Sequence, residues 1–278
     1  MIERDDVVAA VASELAPTGR SPEEVAVMAE GIADRLRLGL PAPSVPRKPF
    51  YDLRPEQDFV YRNGKRKVRK LAGVPVRRDV RRVVGVVLHQ TACEYGLSNK
   101  LIAAAGGDEE LALARRGLNV GCHVIAFRRG FFVATHDLDL HVNHGNRFNA
   151  TTLGLEIEGH YPGLADDPRT VAREDLRVTR GEELPGPDER TIETAREALR
   201  WLVETGRSMG MPIRYLYAHR QSSPTRRADP GEALWKGIAP WAVETLDLEL
   251  APRRVFSTSK GAGRPIPKAW DPAGFGGY

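Results

Sequence analysis

The sequence predicts an α/β protein, and three features carry that expectation. Val83-Val84-Gly85-Val86-Val87-Leu88 is an almost wholly apolar run, as expected of a strand buried on both faces. Shorter strand-like runs follow at 123–127, 131–135, 153–159 and 213–217. Helical patterns alternate with them: 188–206, with Ile192, Ala195, Leu199, Leu202 and Val203 in one stripe, and 232–248 around Trp235, Ile238, Trp241 and Leu246.

The remaining elements read in order. Residues 5–15 pattern as a short helix, broken by Pro17-Thr18-Gly19. Ser21-Pro22-Glu23-Glu24 is a helix start, with a serine cap, proline at the first position and Glu24 able to reach back. That helix runs to about residue 38, and prolines 41, 43, 46 and 49 then form a linker, so residues 1–45 read as a helical extension. Residues 46–82 form a basic hairpin segment around Asn63-Gly64, a two-residue turn signal. Over 51–85, eleven Lys or Arg stand against four Asp or Glu, a net +7. Such a face is either simply solvated or docks on an anionic envelope polymer, a contact that salt would weaken. No base-reading motif accompanies it, so sequence-specific nucleic-acid binding is not expected. Residues 83–250 form the main domain, and Pro/Gly-rich 251–278 reads as a flexible, irregular tail.

Composition narrows the class. The 278 residues are 41% hydrophobic and 7% aromatic, ordinary for a globular protein with a real core. Net charge is +4 and the pI is about 9.1, a mild bias toward anionic partners. Two cysteines, Cys93 and Cys122, do not make a disulfide framework, and two free buried thiols are expected. No apolar run is long enough to span a membrane. Met1-Ile2-Glu3-Arg4-Asp5-Asp6 is charged and unlike a signal peptide, so synthesis in the cytoplasm is expected.

The chemistry concentrates in Ala218-His219-Arg220-Gln221-Ser222-Ser223-Pro224-Thr225-Arg226-Arg227-Ala228-Asp229-Pro230-Gly231. Histidine and carboxylate are ligands of catalytic zinc, and Asp-Pro-Gly fixes the turn after the carboxylate. His89 follows the buried strand, and strands ending at one rim of a sheet bring such residues together. Three ligands leave a fourth position for an acidified water, whereas magnesium or calcium calls for more carboxylates. Glu156 and Glu158 share a face by the two-residue strand period. Either can serve as the base or sit in a structural salt bridge. Arg227 can stabilise an oxyanion, or it is a solvated loop residue like its neighbour Arg226.

The order of these motifs resembles the zinc-dependent N-acetylmuramoyl-L-alanine amidases, a group that includes phage endolysins and peptidoglycan recognition proteins. The resemblance rests on His89-Gln90-Thr91-Ala92, Cys122-His123, Leu153-Gly154-Leu155-Glu156-Ile157-Glu158-Gly159, and His219 with Arg226 to Gly231, and covers about residues 82–245. It implies a mixed central β-sheet flanked by helices and a single zinc ion in a groove that binds peptidoglycan or muropeptides. By position it implies His89, His219 and Asp229 as ligands and Glu156, in preference to Glu158, as the catalytic carboxylate. His144 and Asn146 match the substrate groove. Two departures stand out: Cys122 where other members carry a tyrosine, and Arg227 where lysine is usual. The implied activity is cleavage of the bond between N-acetylmuramic acid and L-alanine. The expected site of action is the cell wall after release by a phage or particle route, or the cytoplasm if the enzyme recycles wall fragments. A recognition protein that binds without cutting is the alternative.

Overall fold

The computed structural model describes residues 48–57, 59–61, 64–164, 186–251, 263–271 and 274, together with Ala9 and Ser13. The chain divides into two compact units, Met1–Val45 and Pro46–Tyr278. In the first, Ala9 and Ser13 are helical and exposed, and the rest of the two helices expected there lies outside the described residues.

The second unit is built on a mixed sheet. Its strands are β1 (Phe50–Asp52), β4 (Gly85–Gln90), β5 (Val124–Ala126), β6 (Phe132–Ala134), β7 (Thr152–Ile157), β8 (Tyr215–Ala218) and β9 (Glu249–Leu250), while β2 (Lys70–Leu71) and β3 (Val74–Pro75) form a separate hairpin. The sheet order is β1-β6-β5-β7-β4-β8-β9, with β5 and β6 antiparallel and the other neighbours parallel. Helices α1 (Asn99–Ala104), α2 (Glu109–Gly117), α3 (Glu189–Ser208) and α4 (Glu232–Leu246) flank it.

The central place of β4 explains its apolar sequence. Val86 and Leu88 pack with Leu199, Leu202 and Trp235 of α3 and α4. Val87 points to the other face, against Phe148 and Tyr217. Farther along that second face, Ile125 and Val133 meet Leu113 of α2. Asp188 opens α3, its Oδ1 accepting the Thr191 N–H at 2.8 Å. β4 runs further than its apolar stretch: His89 and Gln90 pair with Glu156 and Ile157, so His89 lies within the strand rather than after it. It shares the face of Val87, away from α3 and α4.

Segment 46–82 is tied more closely to the sheet than its charge suggested. β1 is an edge strand of the sheet, and Val60 bridges Arg66 across the expected turn, of which Asn63 lies outside the described residues. Several of its cations serve the fold. Lys67 is fully buried and donates to the Leu118 carbonyl at 2.5 Å. Arg78 donates to the carbonyls of Asn149, Thr152 and Leu138, and burial lowers its pKa to about 10. Arg77 pairs with Asp137 and Asp139, and Arg81 with Asp79.

Part of the expected flexible tail is ordered. Trp270 is 1% exposed and packs 6.3 Å from the Trp235 ring, centroid to centroid, and its indole N–H donates to the Gly163 carbonyl. One tryptophan buries enough apolar surface to anchor a segment that has no periodic pattern. Both cysteines are free, but only Cys122 is buried; Cys93, expected to be buried as well, is exposed. None of the described helices is long and apolar enough to cross a membrane.

Candidate metal centre and active site

Register and one loop assemble the site. β8 runs parallel to β4 and delivers His219 directly after its last residue. The loop from His219 returns to place Asp229 beside β4, where the Gln90 N–H donates to Asp229 Oδ1 at 3.0 Å. The Gln90 amide clamps the loop: it donates to the carbonyls of Tyr161 and Ala228 at 2.8 and 3.1 Å and accepts the Tyr161 N–H at 2.6 Å. Gly231 closes the turn with φ 107°, a value only glycine adopts readily.

His89, His219 and Asp229 each aim one ligand atom at a common point, all within 4.8 Å of one another. His89 Nδ1 and His219 Nδ1 are 2.7 Å apart, and His219 Nδ1 is 2.7 Å from Asp229 Oδ2. Burial lowers the pKa of His89 well below the ordinary value, with the nearby His219 adding to the effect. Burial, then Arg226, lowers that of His219 to about 3. Both rings are therefore neutral, the form that binds a metal. Burial raises Asp229 to about 6, opposed by His89 and by the Gln90 N–H. Two imidazoles and one carboxylate suit zinc, with too few oxygens for magnesium or calcium.

Hydrogen bonds behind His89 set its tautomer. His144 Nε2 lies 3.2 Å from the Thr152 carbonyl, which only accepts, so the His144 proton sits on Nε2. Its Nδ1 then accepts from His89 Nε2 at 3.1 Å, and His89 Nδ1 is left bare toward the common point. Asn146 Nδ2 is 3.3 Å from His219 Nε2 and 3.2 Å from Ser222 Oγ. The two residues matched to the substrate groove thus contact the candidate ligands, and His144 also forms part of the cavity wall.

The two glutamates separate at the end of β7. Glu156, paired with His89, brings Oε1 to 3.9 Å from His89 Nδ1, while its buried Oε2 has no hydrogen-bond partner among the described residues. An orphaned carboxylate oxygen beside three convergent ligands is what a site prepared for a metal and its water would leave. Burial raises the Glu156 pKa well above the ordinary range, with Asp229 adding to it. Glu158 instead accepts the N–H groups of Tyr95 and Arg128 at 2.7 and 3.1 Å, a structural task. The site opens into a cavity of about 850 Å³, lined among others by Tyr61, Glu156, His219, Arg226, Arg227 and Asp229.

The family model described as N-acetylmuramoyl-L-alanine amidase, Amidase_2, matches residues 79–232. The chain belongs to this amidase family. No curated protein matches it. Similar solved structures include the endolysin N-acetylmuramoyl-L-alanine amidase LysCS from Clostridium intestinale, at 13% identity and TM-score 0.41, covering 74% of this chain and 99% of that one. Drosophila PGRP-LB matches at 14% identity and TM-score 0.38, covering 69% and 92%. Bumblebee PGRP-SA matches at 14% and 0.41, covering 73% and 98%.

Two residues of this amidase-family site carried no sequence signal. The charge of Arg226, read as a loop cation, acts on His89, Glu156, His219 and Asp229. Arg227, the residue the sequence favours, also lines the cavity, and its carbonyl accepts from Arg220 at 2.5 Å. Tyr61 reaches the cavity from the basic hairpin, outside the matched range.

Proposed function

We propose that the protein hydrolyses the amide between N-acetylmuramic acid and the L-alanine of the stem peptide in peptidoglycan, with one zinc ion held by His89, His219 and Asp229. The observation that carries this reading is the convergence of those three ligand atoms beside the orphaned oxygen of Glu156. A zinc ion there supplies Lewis acidity toward water and toward an amide carbonyl.

The protein's own groups do the rest. Glu156 accepts the proton of the attacking water and returns it to the leaving amine; burial raises its proton affinity, which favours taking up that proton. His144 holds the His89 ring in orientation, and Asn146 lies beside that of His219. Arg226 and Arg227, which both line the cavity, stabilise the tetrahedral oxyanion. The substrate is the cell wall itself or its soluble muropeptides, and action on the wall would follow release of the protein to it, as for an endolysin.

The test is mass spectrometry of purified sacculi and of muropeptides digested by zinc-loaded protein. Free stem peptide is the expected product. Cleavage in the glycan or within the peptide would overturn the assignment, and tight binding without cleavage would make the protein a recognition module.

A further inference from the structure

Tyr61 stands outside residues 79–232, yet its side chain lines the cavity that holds Glu156, His219 and Asp229. Hairpin hydrogen bonds fix its backbone: its N–H donates to Lys65 at 2.7 Å, and its carbonyl accepts from Gly64 at 2.8 Å. The ammonium of buried Lys67 lies 5.5 Å from its ring centroid, a cation–π contact that holds the ring. The hydroxyl is seated on Gly121. A Cβ there would lie 2.2 Å from the phenol oxygen and 3.2 Å from the Asn143 carbonyl, so any larger residue would displace the phenol.

The phenol oxygen lies against the Gly121 backbone, and its O–H is a hydrogen-bond donor. The hydroxyl shares the cavity with Glu156 and Arg226, and the charges of both act on it. Burial, with Cys122 and Glu156 adding to it, pushes the phenol up to about 12, so it is a donor and not a base near neutral pH.

We propose that Tyr61 is a catalytic residue supplied from outside the family domain, its hydroxyl donating a hydrogen bond to the substrate's scissile carbonyl oxygen as that oxygen gains charge. This rests on the amidase reading above. No bond to the phenol is made or broken, and its proton stays on the oxygen throughout.

The test is Tyr61→Phe in the full chain, which keeps the ring and its contact with Lys67. The rate of stem-peptide release should fall about 10²-fold in kcat, the usual effect of removing one oxyanion donor, with KM, zinc content and melting temperature held. Gly121→Ala, which displaces the hydroxyl without removing it, should lower kcat in the same direction and stands in if the first variant fails to fold. A Tyr61→Phe protein within twofold of wild type overturns the role of Tyr61 alone, as does a loss confined to KM or to melting temperature. A wild type that releases no stem peptide overturns the amidase reading, and this role with it.

Discussion

His89 and Glu156 hold paired positions on adjacent parallel strands, and His89 Nδ1 lies 3.9 Å from Glu156 Oε1. A proposed ligand and a proposed base are thereby fixed to each other by sheet hydrogen bonds rather than by a loop. A slip of one residue in either strand would turn one of them to the α3 face.

Glu156→Gln keeps the shape of the side chain and removes its basicity. Stem-peptide release should fall about 10²–10⁴-fold, the range for loss of a general base, while zinc content stays at the wild-type level. Activity near wild type would dismiss Glu156 as the base.

Asp229→Ala removes one ligand and the acceptor for the Gln90 N–H. Metal analysis after dialysis should find the variant empty and wild type with one zinc per chain. Equal zinc in both proteins would place the ion elsewhere.

His144→Phe keeps an aromatic ring behind His89 but breaks the link from the Thr152 carbonyl. Zinc affinity, measured against a competing chelator, should weaken about 10–100-fold, as for other groups that orient a metal ligand. Unchanged affinity with weaker substrate binding would return His144 to the role of a groove residue.

Arg226→Ala and Arg227→Ala separate two neighbouring cations. The field of Arg226 at Glu156 and Asp229 predicts the larger loss of kcat for Arg226→Ala, about 10²-fold. The reverse order would give the oxyanion to Arg227.

His123 links pH to stability. Its Nδ1 accepts the Gly154 N–H at 2.9 Å, and burial, then Arg78, lowers its pKa well below 6.5. The unfolded chain takes up a proton through about 6.5 and the folded chain does not, so this stability is present above 6.5 and is lost as pH falls. Glu156 and Asp229, with raised pKa values, act in the opposite direction. The comparison is therefore between proteins: between pH 8 and 5, the melting temperature of metal-free wild type should fall more steeply than that of His123→Gln. Parallel curves would refute the linkage.

The cluster of candidate ligands was legible in the sequence because each sits where strand pattern and turn chemistry place it: His89 at the end of an apolar stretch, His219 after another strand, Asp229 before Pro-Gly. The choice of Glu156 over Glu158 was legible only through family likeness, since their spacing puts both on one face. The strand's end at Ile157 and the two N–H groups that hold Glu158 separate them. Tyr61 was not legible. Its meeting with Gly121 joins segments far apart in the chain and leaves no periodic trace. Arg226 and Arg227 are adjacent in a loop, where neither strand nor helix period says which side chain turns inward. Ile266 and Trp270 are the buried anchors of a Pro/Gly-rich stretch, and two isolated apolar residues produce no period to read.

The ordered part of the tail bears on how this activity could be moved between proteins. Arg264 N–H donates to the Arg220 carbonyl at 2.8 Å, Arg264 Nε donates to the Pro224 carbonyl at 3.1 Å, and Arg220 Nε donates to the Pro265 carbonyl at 2.9 Å. The loop between His219 and Asp229 is thus laced to residues well beyond the family match. A fragment cut at 79–232 would carry His89, His219 and Asp229 but would lose this lacing, the edge strand β1, Tyr61 and nearly all of α4. The portable unit for fusion to a new binding partner is residues 46–278.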